Sequence, residues 1–235
     1  MDDICWITNL RGTDIEFNPV FFSYVLFYPK KSADESRVTL FVNSSQVASL
    51  SEYLASQRIT VRDYNAIEGQ LTEYNSSGVK VGIHEDTCNA ELKRLCKDVA
   101  VKAENTIKNT KAEKNATEQE GMRQCNIRDC AAIMKYFAYL EEELKKPDHT
   151  LDEFSGARYL DELRTKGQYH QGPSFDTISS IGANGAVIHY KPEQDTAVRL
   201  NNNEVYLLDS GGQYLDGTCD ITRTTQFGGC EPTAF

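Results

Sequence analysis

The chain has 235 residues, enough for one large domain or two modest ones, and its 26% charged and 40% hydrophobic content is that of an ordinary globular protein. A net charge of −10 argues against nucleic acid or an anionic membrane as a partner. No apolar run approaches the roughly 18 residues of a membrane-spanning helix, and the opening MDDICWITNL lacks the basic and apolar regions of a signal peptide. Seven cysteines, an odd number without C-x-x-C spacing, read as reduced thiols of a cytoplasmic protein. Cys125 and Cys130, five apart on one helix, do not face each other. Asn43-Ser-Ser, Asn75-Ser-Ser and Asn115-Ala-Thr fit the glycosylation pattern but carry no implication without a secretory signal.

Residues 4–8, 21–28 and 38–42 read as strands. Ser44 or Ser45 is placed to cap a helix running to about Gln57. A strand over 79–83 and a short helix over 88–97 complete an α/β pattern of about 100 residues. The charged stretch 102–114 reads as a linker or an exposed helix start, with the domain boundary near residue 100. Thr117 with Glu120 forms a capping-box pattern. Ile133, Phe137, Leu140 and Leu144 then make an amphipathic stripe that packs into a core. Pro147 ends that helix, and residues 151–165 form another, ending before Gly167. From residue 174 onward the signals are strand, turn, strand.

Residues 205–227, VYLLDSGGQYLDGTCDITRTTQF, carry the chemistry. Val205 to Leu208 form a short apolar strand, and Ile221, Thr222, Thr224, Thr225 and Phe227 supply a second one. Asp216-Gly217 is a hairpin-turn signal. A turn there sets Asp220 opposite Gly212 or Gln213, with Asp209 about 10 Å further along at about 3.3 Å per residue. Two metal ions sharing a site sit roughly 3.5–4 Å apart, so a bulge or kink at Gly211-Gly212 is needed to bring the carboxylates together. Of the four histidines, His84 and His149 lie in polar loops, His170 lies in a loop before the strand region, and His189, in AVIHYKP, stands at the end of an apolar strand.

DSGGQYLDGTCDITRT closely resembles the first metal-binding motif of the pita-bread metallopeptidases, specifically the Xaa-Pro aminopeptidases (aminopeptidase P). Their pattern D-S-G-x-x-Y-x-x-G-T-x-D-x-T-R-T is matched at every fixed position, with Cys219 where Thr is usual. Three further segments are similar in the same order: WITNLRGTDIEFNPVFF near the start, GMRQCNIRDCAAIMKYFAYLEEEL, and SFDTISSIGANGAVIHYKP. Asn126 stands where the family commonly has His, which reads as a surface change.

The resemblance implies an α/β (α+β) chain. Residues 1–100 would be a partial middle domain, and residues 101–235 the N-terminal half of a pita-bread catalytic domain, the whole being truncated at both ends. It implies Asp209 and Asp220 as metal ligands, with Asp220 bridging, and His189 as the catalytic residue that contacts substrate or the tetrahedral intermediate. Thr222 and Arg223 would orient the second aspartate or its strand. Two divalent ions are implied, manganese by family habit with zinc as the alternative. The remaining ligands, one His and two Glu, would lie beyond Phe235. The implied activity is release of the N-terminal residue from peptides with proline in second position, by metal-activated water, in a cytoplasmic enzyme that is a homodimer at full length. On this reading the isolated chain is inactive. The alternative is a non-catalytic form that associates with peptide or with full-length subunits. A creatinase-like amidinohydrolase is disfavoured, since it has no reason to keep both aspartates.

Overall fold

The computed structural model describes residues 1–28 and 37–228. The chain forms two compact units, Met1–Glu113 and Lys114–Phe235.

The first unit opens with helix α1 (Asp2–Thr8), where the sequence suggests a strand. A short apolar run does not by itself distinguish the two. Asp2 and Asp3 in the first turn complement the helix dipole, and Asn9 closes the helix in the left-handed conformation at φ 49°. Strands β1 (Tyr24–Phe27) and β2 (Val38–Phe41) pair antiparallel. Helices α2 (Ser44–Val47) and α3 (Ser51–Ser56), separated by a 3₁₀ turn at Ala48–Leu50, replace the single helix expected there. The cap is Asn43, whose side chain accepts from the Ser45 N–H at 3.1 Å.

Strand β3 (Ile59–Arg62) then joins β2 in parallel. The chain continues through α4 (Ala66–Ser77), β4 (Val81–Ile83), α5 (Ala90–Leu95), β5 (Ala100–Lys102) and α6 (Thr106–Ala112), with β4 and β5 paired in parallel. Helix α4 escapes sequence reading because only Ile67 and Leu71 are buried on it. The stretch expected as a linker from residue 102 contains α6 and belongs to this unit, held by Lys111, which pairs with Asp2 and, at 2.8 Å, with Asp3.

The second unit begins with the 28-residue helix α7 (Ala116–Glu143), about 42 Å long at 1.5 Å per residue. Its capping box lies two residues before the expected one. The Asn115 side chain accepts from the Glu118 N–H, and the Glu118 carboxylate accepts from the Asn115 N–H, both at 2.9 Å. Asn43 and Asn115, which match the glycosylation pattern, thus serve as helix caps. The stripe on α7 is core: Ile133, Leu140 and Leu144 are buried, with Phe137 half-buried beside them. They pack on Leu160 of α8 (Glu153–Thr165) and on Tyr206 and Leu208 of the sheet beneath. Asp152 caps α8 by accepting from the Ser155 N–H at 2.7 Å.

Strands β6 (His170–Pro173), β7 (Ile178–Ile181), β8 (Tyr206–Ser210), β9 (Gly212–Tyr214), β10 (Gly217–Thr218) and β11 (Ile221–Thr225) follow. They make two antiparallel three-stranded sheets, ordered β10-β9-β6 and β11-β8-β7. Among the described residues no helix is long and apolar enough to cross a membrane.

Candidate metal centre

The two aspartates lie on one hairpin, but its turn differs from the sequence reading. Tyr214 pairs with Gly217, so the tip is Leu215-Asp216, one residue earlier than expected. Gln213 pairs with Thr218, Ser210 with Ile221 and Asp209 with Thr222. These pairs share one unbroken register, so no residue is bulged out. Continuing that register, Asp220 faces Gly211 and stands diagonally across the ladder from Asp209. Diagonal neighbours of this kind are about 7–8 Å apart, closer than the separation inferred from a turn at Asp216-Gly217. The shift of the turn, rather than a bulge, sets the two aspartates closer together than a turn at Asp216-Gly217 would.

Gly211 is where the hairpin passes from one sheet to the other. Its carbonyl accepts from the Ser174 N–H at 2.9 Å, and Ser174 Oγ donates to the Cys219 carbonyl at 2.7 Å. Ser174 therefore ties both arms together beside Asp220. A Cβ on Gly211 would strike the Cys219 carbonyl oxygen and lie 2.5 Å from Ser174 Oγ, so only glycine fits.

The surroundings fix this hairpin firmly. Arg164 on α8 is fully buried, donating from Nε and Nη2 to the two oxygens of buried Asp129 at 2.9 and 3.0 Å. Nη2 also reaches Ser210 Oγ at 3.0 Å, next to Asp209, and Tyr214 Oη donates to Asp129 at 3.0 Å. Burial, then the neighbouring Asp129 charge, pushes the Tyr214 hydroxyl well up. At the tip, Arg128 of α7 donates to both oxygens of Asp216 at 2.5 and 2.6 Å. Its guanidinium lies 5.6 and 5.3 Å from the Tyr169 and Tyr214 ring centres. Cys219 is buried with its sulfur 3.7 Å from that of Cys125, and burial drives its thiol well above the ordinary range. Six free cysteines are found among the described residues; Cys230 lies outside them.

Asp209 Oδ1 is buried and has no hydrogen-bond partner. A carboxylate oxygen removed from water without a donor is costly, and a cation is the partner that would satisfy it. Hard oxygen donors suit a divalent ion, so the residues present fit a metal. Asp220 is exposed. Among the described residues no group of three or more His, Cys, Asp or Glu converges to hold one. Arg223 donates to the Thr222 carbonyl at 2.7 Å.

His189 is not at a strand end. After β7 the chain makes a 3₁₀ turn at Gly182–Ala186 and then a tight turn, closed by the Tyr190 N–H donating to the Val187 carbonyl at 3.1 Å. His189 is the third residue of that turn, exposed, with φ 56° where glycine is usual. The run AVI is apolar, yet Ile188 is 85% exposed. The ladder does not itself bring His189 to the aspartates, because β7 runs from Ile178 opposite Asp209 to Ile181 opposite Tyr206. His170 lies in β6 rather than a loop, edge-on to the Tyr214 ring at 5.6 Å.

Sequence reasoning missed Asp129, Glu153 and Arg164. A signal was present. Glu153, Gly156, Ala157, Leu160 and Arg164 are the buried positions of α8, so two charges sit on the apolar stripe. Asp129 does the same among Cys125, Ala132, Ile133, Tyr136 and Leu140 on α7.

Residues 1–118 match the creatinase/prolidase N-terminal domain, and residues 120–234 the metallopeptidase family M24. Two fungal relatives carry the name probable Xaa-Pro aminopeptidase P. That of Pyrenophora teres f. teres (strain 0-1) is 42% identical over 244 residues, and that of Botryotinia fuckeliana (strain B05.10) is 44% identical over 242. Each comparison takes in 99% of this chain and 36% of the relative. The X-prolyl aminopeptidase of Caenorhabditis elegans, described as a cytosolic enzyme with a di-nuclear active site, superposes with a TM-score of 0.87 at 28% identity, over 99% of this chain and 38% of that one. An Xaa-Pro dipeptidase from Bacillus anthracis shares the fold, with a TM-score of 0.70 at 18% identity over 99% of this chain and 59% of its own. The chain therefore spans little more than a third of the fungal relatives it matches. It belongs to the creatinase/prolidase N-terminal domain family, with part of an M24 metallopeptidase domain following.

Proposed function

We propose that this chain is the part of an Xaa-Pro aminopeptidase that carries its first two metal ligands, Asp209 and Asp220. The observation that carries this reading is the buried, partnerless Oδ1 of Asp209 within DSGGQYLDGTCDITRT. When bound, two divalent cations would supply a water of lowered pKa and positive charge for a developing oxyanion. Asp209 would hold one cation from the buried side, and Asp220, exposed on the facing arm, would reach it from the solvent side. The exposed imidazole of His189 would donate a hydrogen bond to negative charge developing on the substrate carbonyl. Arg164 and Ser174 hold the two arms of the hairpin from behind.

The finer expectations follow from the same reading. The substrate is a peptide with proline in second position, the metal is manganese, and the longer protein works in the cytoplasm as a homodimer. With two carboxylates and no third ligand converging among the described residues, the isolated chain binds metal weakly and has little or no peptidase activity. Titration calorimetry with manganese and zinc, on the chain and on its Asp209→Asn and Asp220→Asn variants, tests the site. Weak binding that vanishes in both variants supports it, and binding that survives them refutes it. Robust manganese-dependent cleavage of an Xaa-Pro peptide by this chain would refute the inactivity.

A further inference from the structure

Glu153 is the first residue of α8 and is fully buried. Oε1 accepts from the Ile181 N–H at 2.8 Å and from Asn184 Nδ2 at 3.1 Å. Oε2 accepts from the Val198 N–H at 2.9 Å, from Tyr190 Oη at 2.6 Å and from Asn184 Nδ2 at 3.1 Å. Its own N–H donates to the Val198 carbonyl at 3.0 Å. These donors are neutral: two backbone amides, a carboxamide and a phenol. A buried carboxylate held by neutral donors is tolerable only when its oxygens are satisfied, and such a network adds more to uniqueness than to net stability.

The donors are informative because of where they lie in the chain. Ile181 ends β7, the strand hydrogen-bonded to β8 and so to Asp209. Val198 is where the excursion from β7 returns. Asn184 and Tyr190 bracket the exposed turn that contains His189, and that turn is continuous with Asn184, since the Val187 N–H donates to the Asn184 carbonyl at 3.1 Å. One carboxylate therefore pins both ends and the middle of a solvent-exposed loop. It also holds a non-glycine residue at φ 56°, a conformation that persists only where the surroundings over-determine it.

We propose that Glu153 is a positioning residue. By gathering Ile181, Asn184, Tyr190 and Val198 on one carboxylate, it fixes the turn that presents His189 to substrate. This rests on the role given to His189 above. Both acceptor oxygens are essential, because a carboxamide would turn one of them into a donor facing either the Ile181 or the Val198 N–H.

The test is hydrogen exchange on the full chain together with the imidazole resonances of its four histidines, that of His189 being assigned by its loss in His189→Gln. In Glu153→Gln the amides of residues 181–198 exchange about tenfold faster or more, as loss of hydrogen bonds to a charged group implies. The His189 ring signal changes as its turn loosens. The amides of α7 and β8 and the other three histidine signals stay as in the parent. Tyr190→Phe, which removes one donor and leaves the core filled, gives a smaller change at the same places. Unchanged exchange and an unchanged His189 signal in both variants would overturn the proposal. So would loosening spread evenly over α7, β8 and the loop in both, which would make Glu153 an ordinary core residue. Xaa-Pro cleavage, assayed in parallel on the longer protein, decides the peptidase reading separately: Glu153→Gln lowers kcat and leaves KM nearly unchanged. If the parent cleaves no such peptide while the exchange result holds, the peptidase reading fails and Glu153 remains the residue that holds the turn.

Discussion

Arg164 and Asp129 meet through two hydrogen bonds of 2.9 and 3.0 Å with both side chains wholly removed from solvent. The pair joins α8 to α7, and through Ser210 and Tyr214 it reaches both sheets that meet at the hairpin carrying Asp209 and Asp220. Breaking a buried pair by removing one partner leaves an uncompensated charge and costs about 3–5 kcal/mol. Asp129→Ala and Arg164→Met are each expected to lose about that much in urea denaturation. The double variant Asp129→Leu with Arg164→Met should recover part of it, since neither member of the pair is left charged and only the partly exposed Asp161, 3.7 Å from Arg164, loses a cation. Additive losses would show that the pair is not the linkage described.

The close approach at Gly211 makes a second expectation. A methyl group there meets a backbone carbonyl that cannot rotate away, so Gly211→Ala should destabilise the second unit by about 1–3 kcal/mol or more. Gly69, in the interior of α4, is open by contrast, with nothing within 4 Å of the place a Cβ would take. Gly69→Ala should therefore stabilise by about 0.5–1 kcal/mol through helix propensity alone. Opposite signs in chemical denaturation check the two environments.

Much of the fold, and the hairpin that carries the candidate site, were legible in the residues. The α7 stripe and the β8–β11 hairpin follow from periodicity and turn chemistry, which are local. What failed depended on tertiary surroundings. The turn moved to Leu215-Asp216 because Arg128 grips Asp216 and because Gly217 lies against Cys125, where a Cβ would sit 2.5 Å from its sulfur. AVI before His189 is apolar, but Glu153 holds that segment as a turn. Glu153 and Arg164 belong to no motif in the sequence. Their position on the Leu160 stripe was visible, but the partners that make burial tolerable, Ile181 and Val198 for one and Asp129 for the other, lie far away in sequence.

His170 gives an expectation in pH. Burial, then the nearby Arg164 charge, holds its imidazole below the ordinary 6.5. The folded state thus favours the neutral ring, and the unfolded chain binds the proton more readily. The stabilisation this contributes is present above pH 6.5 and is lost as pH falls from there through the folded-state value. The difference in unfolding free energy between the parent and His170→Gln should shrink on acidification below pH 6.5. A difference that stays constant from pH 7.5 to 5 would show that the ring titrates as it does in water.

Asp209 makes the sharpest expectation, because stability and function should pull apart there. Without a cation its buried Oδ1 has no partner, so the metal-free chain carries a desolvation cost at this residue. Asp209→Asn places a neutral group in the same volume, and the metal-free variant should be as stable as the parent or more so, as at other sites where function strains the fold. Added manganese should reverse the order. A ligand that binds only the folded state stabilises by about 2.7 kcal/mol at a hundred times its dissociation constant, so the parent's Tm should rise with manganese concentration while that of the variant stays fixed. A variant less stable than the metal-free parent would mean that Asp209 is satisfied by the protein itself. An equal manganese response in both would place the ion elsewhere.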